Sequence, residues 1–393
     1  MYSEEDINSA VAAGAISAEA ASGFRAHMSK VRELPRGSEE NFRLINSFND
    51  IFVSIGVVIL LVAVGAIGQA MAGLIAPVED YFAFYDRIPS PDDAQVEAFH
   101  AARNLNEVVS MSLAGLFVAA TAWPLSEFFT RKRRMGLPSI ILLLSFVGGT
   151  FFAVTGAGMT LAQDGNDTIG ALMISFAALV AASAAYLHWR RFMVPITVAA
   201  GAAAIAGTVV SLIVAALGPN NIDENVVFGL VFVAGLAVWS LAMRWDISDR
   251  ERITRRSDVA FWLHLLAAPM IAHPIFALLG VTEGDNLGVG AAVGVIAVYV
   301  AFGLVALAID RRALLVSALV YVLFALTILF REFGAVELNF ALTALVIGSA
   351  LLSLSAFWQP IRRAVVTALP GDLQSKLPAT DDLPASVAEG SPA

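Results

Sequence analysis

The chain has 393 residues, of which 58% are hydrophobic and 15% charged, with a mean hydropathy of +0.76 and a formal net charge of −9. That is too apolar for a water-soluble domain of this length, so the bilayer is the expected solvent. The chain contains no cysteine, which excludes disulfides, thiolate metal sites and cysteine nucleophiles.

Residues 3–30 read as a short helical hairpin. Ser3 and Asp6 are spaced as a capping box, Gly14 suits a C-terminal stop, and Ser17 can cap the second helix. The first 47 residues are polar and no basic stretch leads into an apolar core, so no cleavable signal peptide is expected. NFRLINSFNDIF (41–52) follows. As a helix it puts Arg43, Asn46 or Ser47, Asp50 and Ser54 on one face, with Phe42, Ile45, Phe48 or Asn49, and Phe52 near the other. It reads either as an interfacial helix feeding the first span or as an inner gate built on Asp50 and Arg43.

Ten apolar segments then reach the roughly 20 residues that a membrane-spanning helix needs: 51–76, 107–128, 137–162, 169–188, 193–218, 226–244, 259–280, 287–309, 313–330 and 338–358. Strands are excluded by length and by the lack of alternation. The expected fold is an all-α, polytopic transmembrane helical bundle of about ten spans with both termini cytoplasmic. Its divisions are 1–47 (cytoplasmic hairpin and interfacial helix), 48–360 (transmembrane domain, with 78–106 an outer segment) and 361–393 (a cytoplasmic, largely disordered tail). In the outer segment Ser90 can cap a helix, Pro91 fits its first position, and Asp92 and Asp93 face its positive end.

Orientation rests on the loops. RKRR (131–134), RR (190–191), RWDISDRERITRRSD (244–258), DRR (310–312) and IRR (361–363) all fall on one side, which then carries 21 Lys and Arg against 3 on the other. The six tryptophans lie at or near the same ends of their helices, where an indole finds both apolar contact and a partner for its N–H. The basic loops recur about every 60 residues, and RRMGLP (133–138), RRFMVP (190–195) and the looser RRALLV (311–316) share a phase. Simple span-and-loop geometry gives such a period; so does duplication of a two-helix unit.

The seventh segment contains LHLLAAPMIAHP (263–274). His264 and His273 are nine residues apart, on opposite faces of a helix and about 13 Å apart along it, so they cannot share one metal ion. A haem reading survives only through His188 and His264, both near the basic side. Other readings are a neutral histidine hydrogen-bonded across a helix contact, or a polar, pH-sensitive lining. Pro269 and Pro274 each remove a backbone hydrogen bond, which suits either a packing kink or the bent wall of a cavity. Small residues in GGTFFAVTGAG (148–158), GAAAIAG (201–207) and GVGAAVG (288–294) promise close helix contacts. No phosphate loop, HExxH, serine elbow or paired carboxylates within the bilayer are present.

An N-terminal hairpin with AGAIS, then NFRLINSFNDIFVSIG, RRMGLPSI, DRRALLVSALVY and SAFWQPIRRAVVTALPGDLQSKLPA occur in that order. In this the chain resembles a group of uncharacterised bacterial multi-pass inner-membrane proteins of the domain-of-unknown-function type. The resemblance implies a bacterial cytoplasmic-membrane location and a helical bundle, and it transfers no catalytic residue. The expected function is a small-molecule transporter or exporter with a pocket near the kinked seventh helix, its candidate pocket or gate residues being His264, Pro269, His273, Pro274, Asp50 and Arg43. The alternative is a non-transporting membrane sensor or scaffold acting through the N-terminal hairpin. An enzyme is the less expected class, with no catalytic residue, cofactor or metal assigned. The expected partners are the lipid bilayer, a small-molecule ligand and a protein bound through the hairpin, but not a nucleic acid.

Overall fold

A computed structural model describes residues 7, 10–24, 48–160, 166–250, 252, 254–280, 289–332 and 339–378. It divides into two units, residues 1–42 with 378–393, and residues 43–377. In the first, the Ser17 hydroxyl accepts from the Ala20 amide at 3.0 Å and starts the helical run 18–24. Gly14 takes φ +70° just after the preceding helical residues, the left-handed stop that its lack of a side chain permits. Ser3 and Asp6 lie outside the described residues.

The second unit is helix throughout, with no strand among the described residues. Its helices are α1 (Phe48–Ile75), α2 (Tyr81–Arg87), α3 (Asp93–Ser126), α4 (Gly136–Met159), α5 (Asp167–Phe192), α6 (Ile196–Leu217), α7 (Glu224–Ile247), α8 (Arg255–Leu278), α9 (Val289–Ile309), α10 (Ala313–Glu332), α11 (Asn339–Ala356), α12 (Trp358–Thr367) and α13 (Gly371–Gln374). Among the described residues eight of these are long and apolar enough to cross a membrane: α1, α3 with its extension to Lys132, and α4 to α9. The α11–α12 pair, bent by 73°, makes a ninth if counted as one span, and the remaining apolar segment lies in α10. Each of the ten apolar segments read from the sequence thus holds a helix among its described residues. This is the all-α bundle of a membrane-embedded protein.

Polar caps start the helices that run toward the basic turns. Asp92, Asn166 and Asp223 accept backbone N–H groups at the first turns of α3, α5 and α7. The far ends of the same helices carry Arg131 and Lys132, Arg190 and Arg191, and Arg244. Acid at the N-terminus and base at the C-terminus both match the helix dipole. The α3 start corrects the expectation of a Ser90 cap and Pro91 as first helical residue. Asp92 and Gln95 form a reciprocal capping box, and a carboxylate is the better acceptor for the freed amides. From Asp93 onward the expected outer segment is continuous with the next span, whereas α2 is a separate short helix within it. Pro124 lies inside α3, and the π-helix Glu127–Lys132 follows it closely.

The three most extensive helix pairs lie across basic turns, α3/α4, α5/α6 and α7/α8; α1/α3 and α4/α5 come next, and α9/α10 after them. Among the described residues each of the four basic turns holds one non-glycine residue in the left-handed region: Arg134, Met193, Arg252 and Asp310, spaced 59, 59 and 58 residues apart. The second helices of successive pairs touch one another, α6 on α8 and α8 on α10, and among the described residues α8 is the most enclosed span.

Close approach is concentrated at α1, α3 and α4. A Cβ on Gly68 would stand 2.8 Å from Ala114 backbone, one on Gly115 2.6 Å from the Gly149 carbonyl, and one on Gly156 2.6 Å from the Ser112 amide. The 148–158 stretch therefore packs as its small residues suggest. Gly201 and Gly207 make ordinary contacts with Ala185 and Ala178, whereas Gly290 meets nothing within 4 Å and Gly294 only the tip of Leu279.

The sequence places the end of the bundle at residue 360. Residues 358–377 are instead packed structure: Trp358, Val366 and Leu377 are buried in one cluster with Ala306 and Leu307 of α9. Residues 379–393 of the expected disordered tail lie outside the described residues.

Candidate functional site

Two linked groups of buried charge lie at the basic-turn end of the second half of the bundle. Asp246, one residue before the end of α7, is 2% exposed. Its Oδ1 accepts from Arg311 Nη2 at 2.6 Å, and its Oδ2 accepts from Arg311 Nε at 3.3 Å and pairs with His264 Nε2 at 2.9 Å. Arg311 Nη2 also donates to the carbonyl and hydroxyl of Ser257 on α8. The guanidinium fork thus meets a carboxylate two-toothed, which fixes geometry as well as charge.

An ionised carboxylate is acceptor-only, so the Nε2 of His264 must carry the shared hydrogen. The Nδ1 of His264 is buried without a hydrogen-bond partner. A second proton there would be an unpaired buried donor, so this geometry suits the neutral ring.

The second group turns on Asp310, the residue next to Arg311. Asp310 Oδ2 accepts from Arg252 Nη1 at 2.9 Å and Oδ1 from the Trp358 indole at 2.7 Å, with Arg362 Nε 3.7 Å from Oδ1. Arg252 Nη2 also donates to the Ile309 and Asp310 carbonyls. Burial and the proximity of Arg311 pull the Arg252 guanidinium below its ordinary pKa, while Asp310 and Asp246 push it back up. Asp249 closes its own turn by accepting from the Thr254 amide and hydroxyl, and the Arg312 guanidinium lies over the Trp358 ring at 4.6 Å. The buried charges therefore join α7, α8, the α9–α10 turn and α12.

Of the residues singled out from the sequence, His264 belongs to this site. His273, on the opposite face of α8, is exposed; its Nδ1 bonds the Tyr321 hydroxyl and its ring meets Phe228 edge-on at 5.5 Å. Pro269 is exposed and Pro274 buried, and helix α8 runs through both. Asp50 is buried on α1, where its carbonyl accepts from Ser54 Oγ, and Phe48 and Phe52 are turned outward. Asp50 is not brought to the α7–α10 network, and Arg43 lies outside the described residues. His188 lies in an aromatic box of Trp123, Phe146 and Phe192, with Thr197 Oγ1 3.5 Å from its Nδ1. His188 and His264 thus have separate partners, and no group of three or more metal-ligating side chains is found among the described residues.

Sequence reasoning missed Asp246, Arg252, Asp310, Arg311 and Arg362. It read 244–258 and 310–312 as loop charge that sets orientation. The available signal was the acids themselves, since Asp246 and Asp310 sit at apolar helix ends among bases that topology alone would explain. Trp358, expected at the headgroup level, is buried because its indole N–H is bound to Asp310.

Open spaces lie elsewhere. A groove of about 1050 Å³ runs between α1, α3 and α4, with a neighbouring one of about 410 Å³. A third, of about 460 Å³, touches α8 at Leu266 and Met270 and is lined almost wholly by apolar side chains. No family model, curated protein or solved structure matches the chain.

Proposed function

We propose that the chain is a small-molecule transporter or exporter of a bacterial cytoplasmic membrane, with its basic turns in the cytoplasm and the Asp246–His264–Arg311 network closing that end. The observation that carries this reading is where the charges are buried. They lie between separate helices at one end, not within any one helix. A buried ion pair is seldom worth more than apolar packing of the same volume, so it is a poor choice for stability alone. It is a good choice for a contact that must be specific when closed and exchangeable when open. The prolines of α8 supply the matching weakness, since each removes one backbone hydrogen bond from the helix that carries His264.

The test is flux in proteoliposomes loaded with pooled metabolites, comparing wild type with Asp246→Asn, Arg311→Gln and Pro269→Ala. Wild type should move at least one solute. Both gate substitutions should lower flux ten-fold or more, because the closed end must form in every cycle. Pro269→Ala should lower flux while thermal stability holds or rises. Folded wild-type protein that moves no solute, yet binds a protein through residues 1–47, would replace this reading with that of a sensor or scaffold.

A further inference from the structure

The groove between α1, α3 and α4 holds polar groups that its helices leave unused. Gln69 of α1 and Ser145 of α4 line both the larger groove and its neighbour. Neither side chain has a hydrogen-bond partner among the described residues, and Gln69 is exposed. Gln69 lies six residues, or about 9 Å, before the end of α1, within an apolar span. An amide facing hydrocarbon there is costly unless something meets it.

The groove is polarised along its length. Toward the acidic-loop end it is lined by Asn106, Glu107 and Ser110; Asn106 is already committed to the Ala76 carbonyl and Ser110 to Asn106. Toward the other end the lining is Val58, Leu61, Val62 and Ile141. From Gln69 to Val58 is eleven residues, about 16 Å of helix, which is the shape of an alkyl chain below a head group. Among the described residues the one charged side chain lining the groove is Glu107, with Arg103 3.2 Å from it, so an anionic head meets no free cation among them.

We propose that this groove binds a single-chain amphiphile from the lipid phase, with a hydroxyl- or amine-bearing head held by Gln69 and Ser145 and its alkyl chain along Val58, Leu61 and Ile141. Binding of this kind requires no flux, so it stands or falls apart from the transport reading.

Because the chain has no cysteine, one label can be placed without background. A bimane on Leu144→Cys sits at the groove rim, and one on Val233→Cys reports bulk lipid, both positions being exposed. The probes are dibrominated oleoylglycerol, oleylamine and oleyl sulfate in phosphatidylcholine nanodiscs, and the readout is quenching. The neutral and cationic probes should quench the Leu144→Cys label saturably at low mole fraction, while Val233→Cys responds in proportion to probe. Gln69→Leu should raise the half-saturating fraction roughly ten-fold. Ala66→Phe, which adds bulk to the open groove, should bring the rim label to the bulk-lipid response. Equal responses at both labels, saturable binding of oleyl sulfate with the same affinity, or a rim label shielded from every probe while Gln69→Cys cross-links two copies, would each overturn the proposal.

Discussion

Asp310 and Arg311 are neighbours in sequence that serve different partners, one facing Arg252, Trp358 and Arg362, the other Asp246 and Ser257. Asp310 and Arg252 are also two of the four left-handed turn residues, and they bind each other. A non-glycine residue there costs about 1–2 kcal/mol, and it persists only where its surroundings over-determine it. Two ion-paired guanidinium contacts and an indole hydrogen bond do so. At Asp246 and Arg311, removing one partner strands the other in a site that is almost fully closed to solvent. Asp246→Leu and Arg311→Leu should each destabilise the bundle by about 3–5 kcal/mol. The double substitution should recover most of that loss, since it removes both charges and keeps apolar volume. Thermal unfolding in detergent of the wild type and the three variants checks this. Additive losses in the double variant would mean that the two residues do not act as a pair.

At the scale of the helix, glycines with the same appearance in sequence do different things. Gly148 and Gly156 both lie in α4, but a Cβ at Gly148 meets nothing within 4 Å while one at Gly156 enters the backbone of α3 at Val108 and Ser112. Gly156→Ala should therefore cost on the order of 1–3 kcal/mol by pushing α3 and α4 apart. Gly148→Ala should be neutral or stabilise by up to about 1 kcal/mol, because it only relieves the entropy of a helical glycine. Melting curves should show Gly156→Ala lowered and Gly148→Ala unchanged or raised. This pair also marks what the sequence allows to be read. Apolar length announces the long helices, because the bilayer sets it, but not the short α2, α12 and α13. The Asp92 cap is decided by local hydrogen bonding, which composition does not carry. The buried network is harder still: Asp246 lies 18 residues from His264 and 65 from Arg311, so no local pattern joins them. His264 was visible because a histidine in an apolar run is conspicuous; its partners sat among charges already explained by the loops.

At the scale of the whole molecule, charge, dipole and turn geometry agree on one direction. Helices α3, α5 and α7 begin at polar caps with an acid in the first turn and end at basic residues, and the four left-handed turns at 134, 193, 252 and 310 keep nearly one period. A recurring turn conformation favours a repeated two-helix unit over spacing alone, because span-and-loop length fixes a period but not a backbone conformation. If the basic turns face the cytoplasm, as the 21-to-3 division of Lys and Arg argues, sites at the two ends must be reached from opposite sides. Arg255, at the start of α8, and Asn221, in the loop before α7, are both exposed, whereas Ser257 is buried in the network and would be a poor target. In intact cells an impermeant maleimide should label Asn221→Cys and leave Arg255→Cys unlabelled until the membrane is opened. The reverse pattern would invert the protein, and labelling of both positions from one side would break the alternation of spans on which the gate, the groove and the repeat all depend.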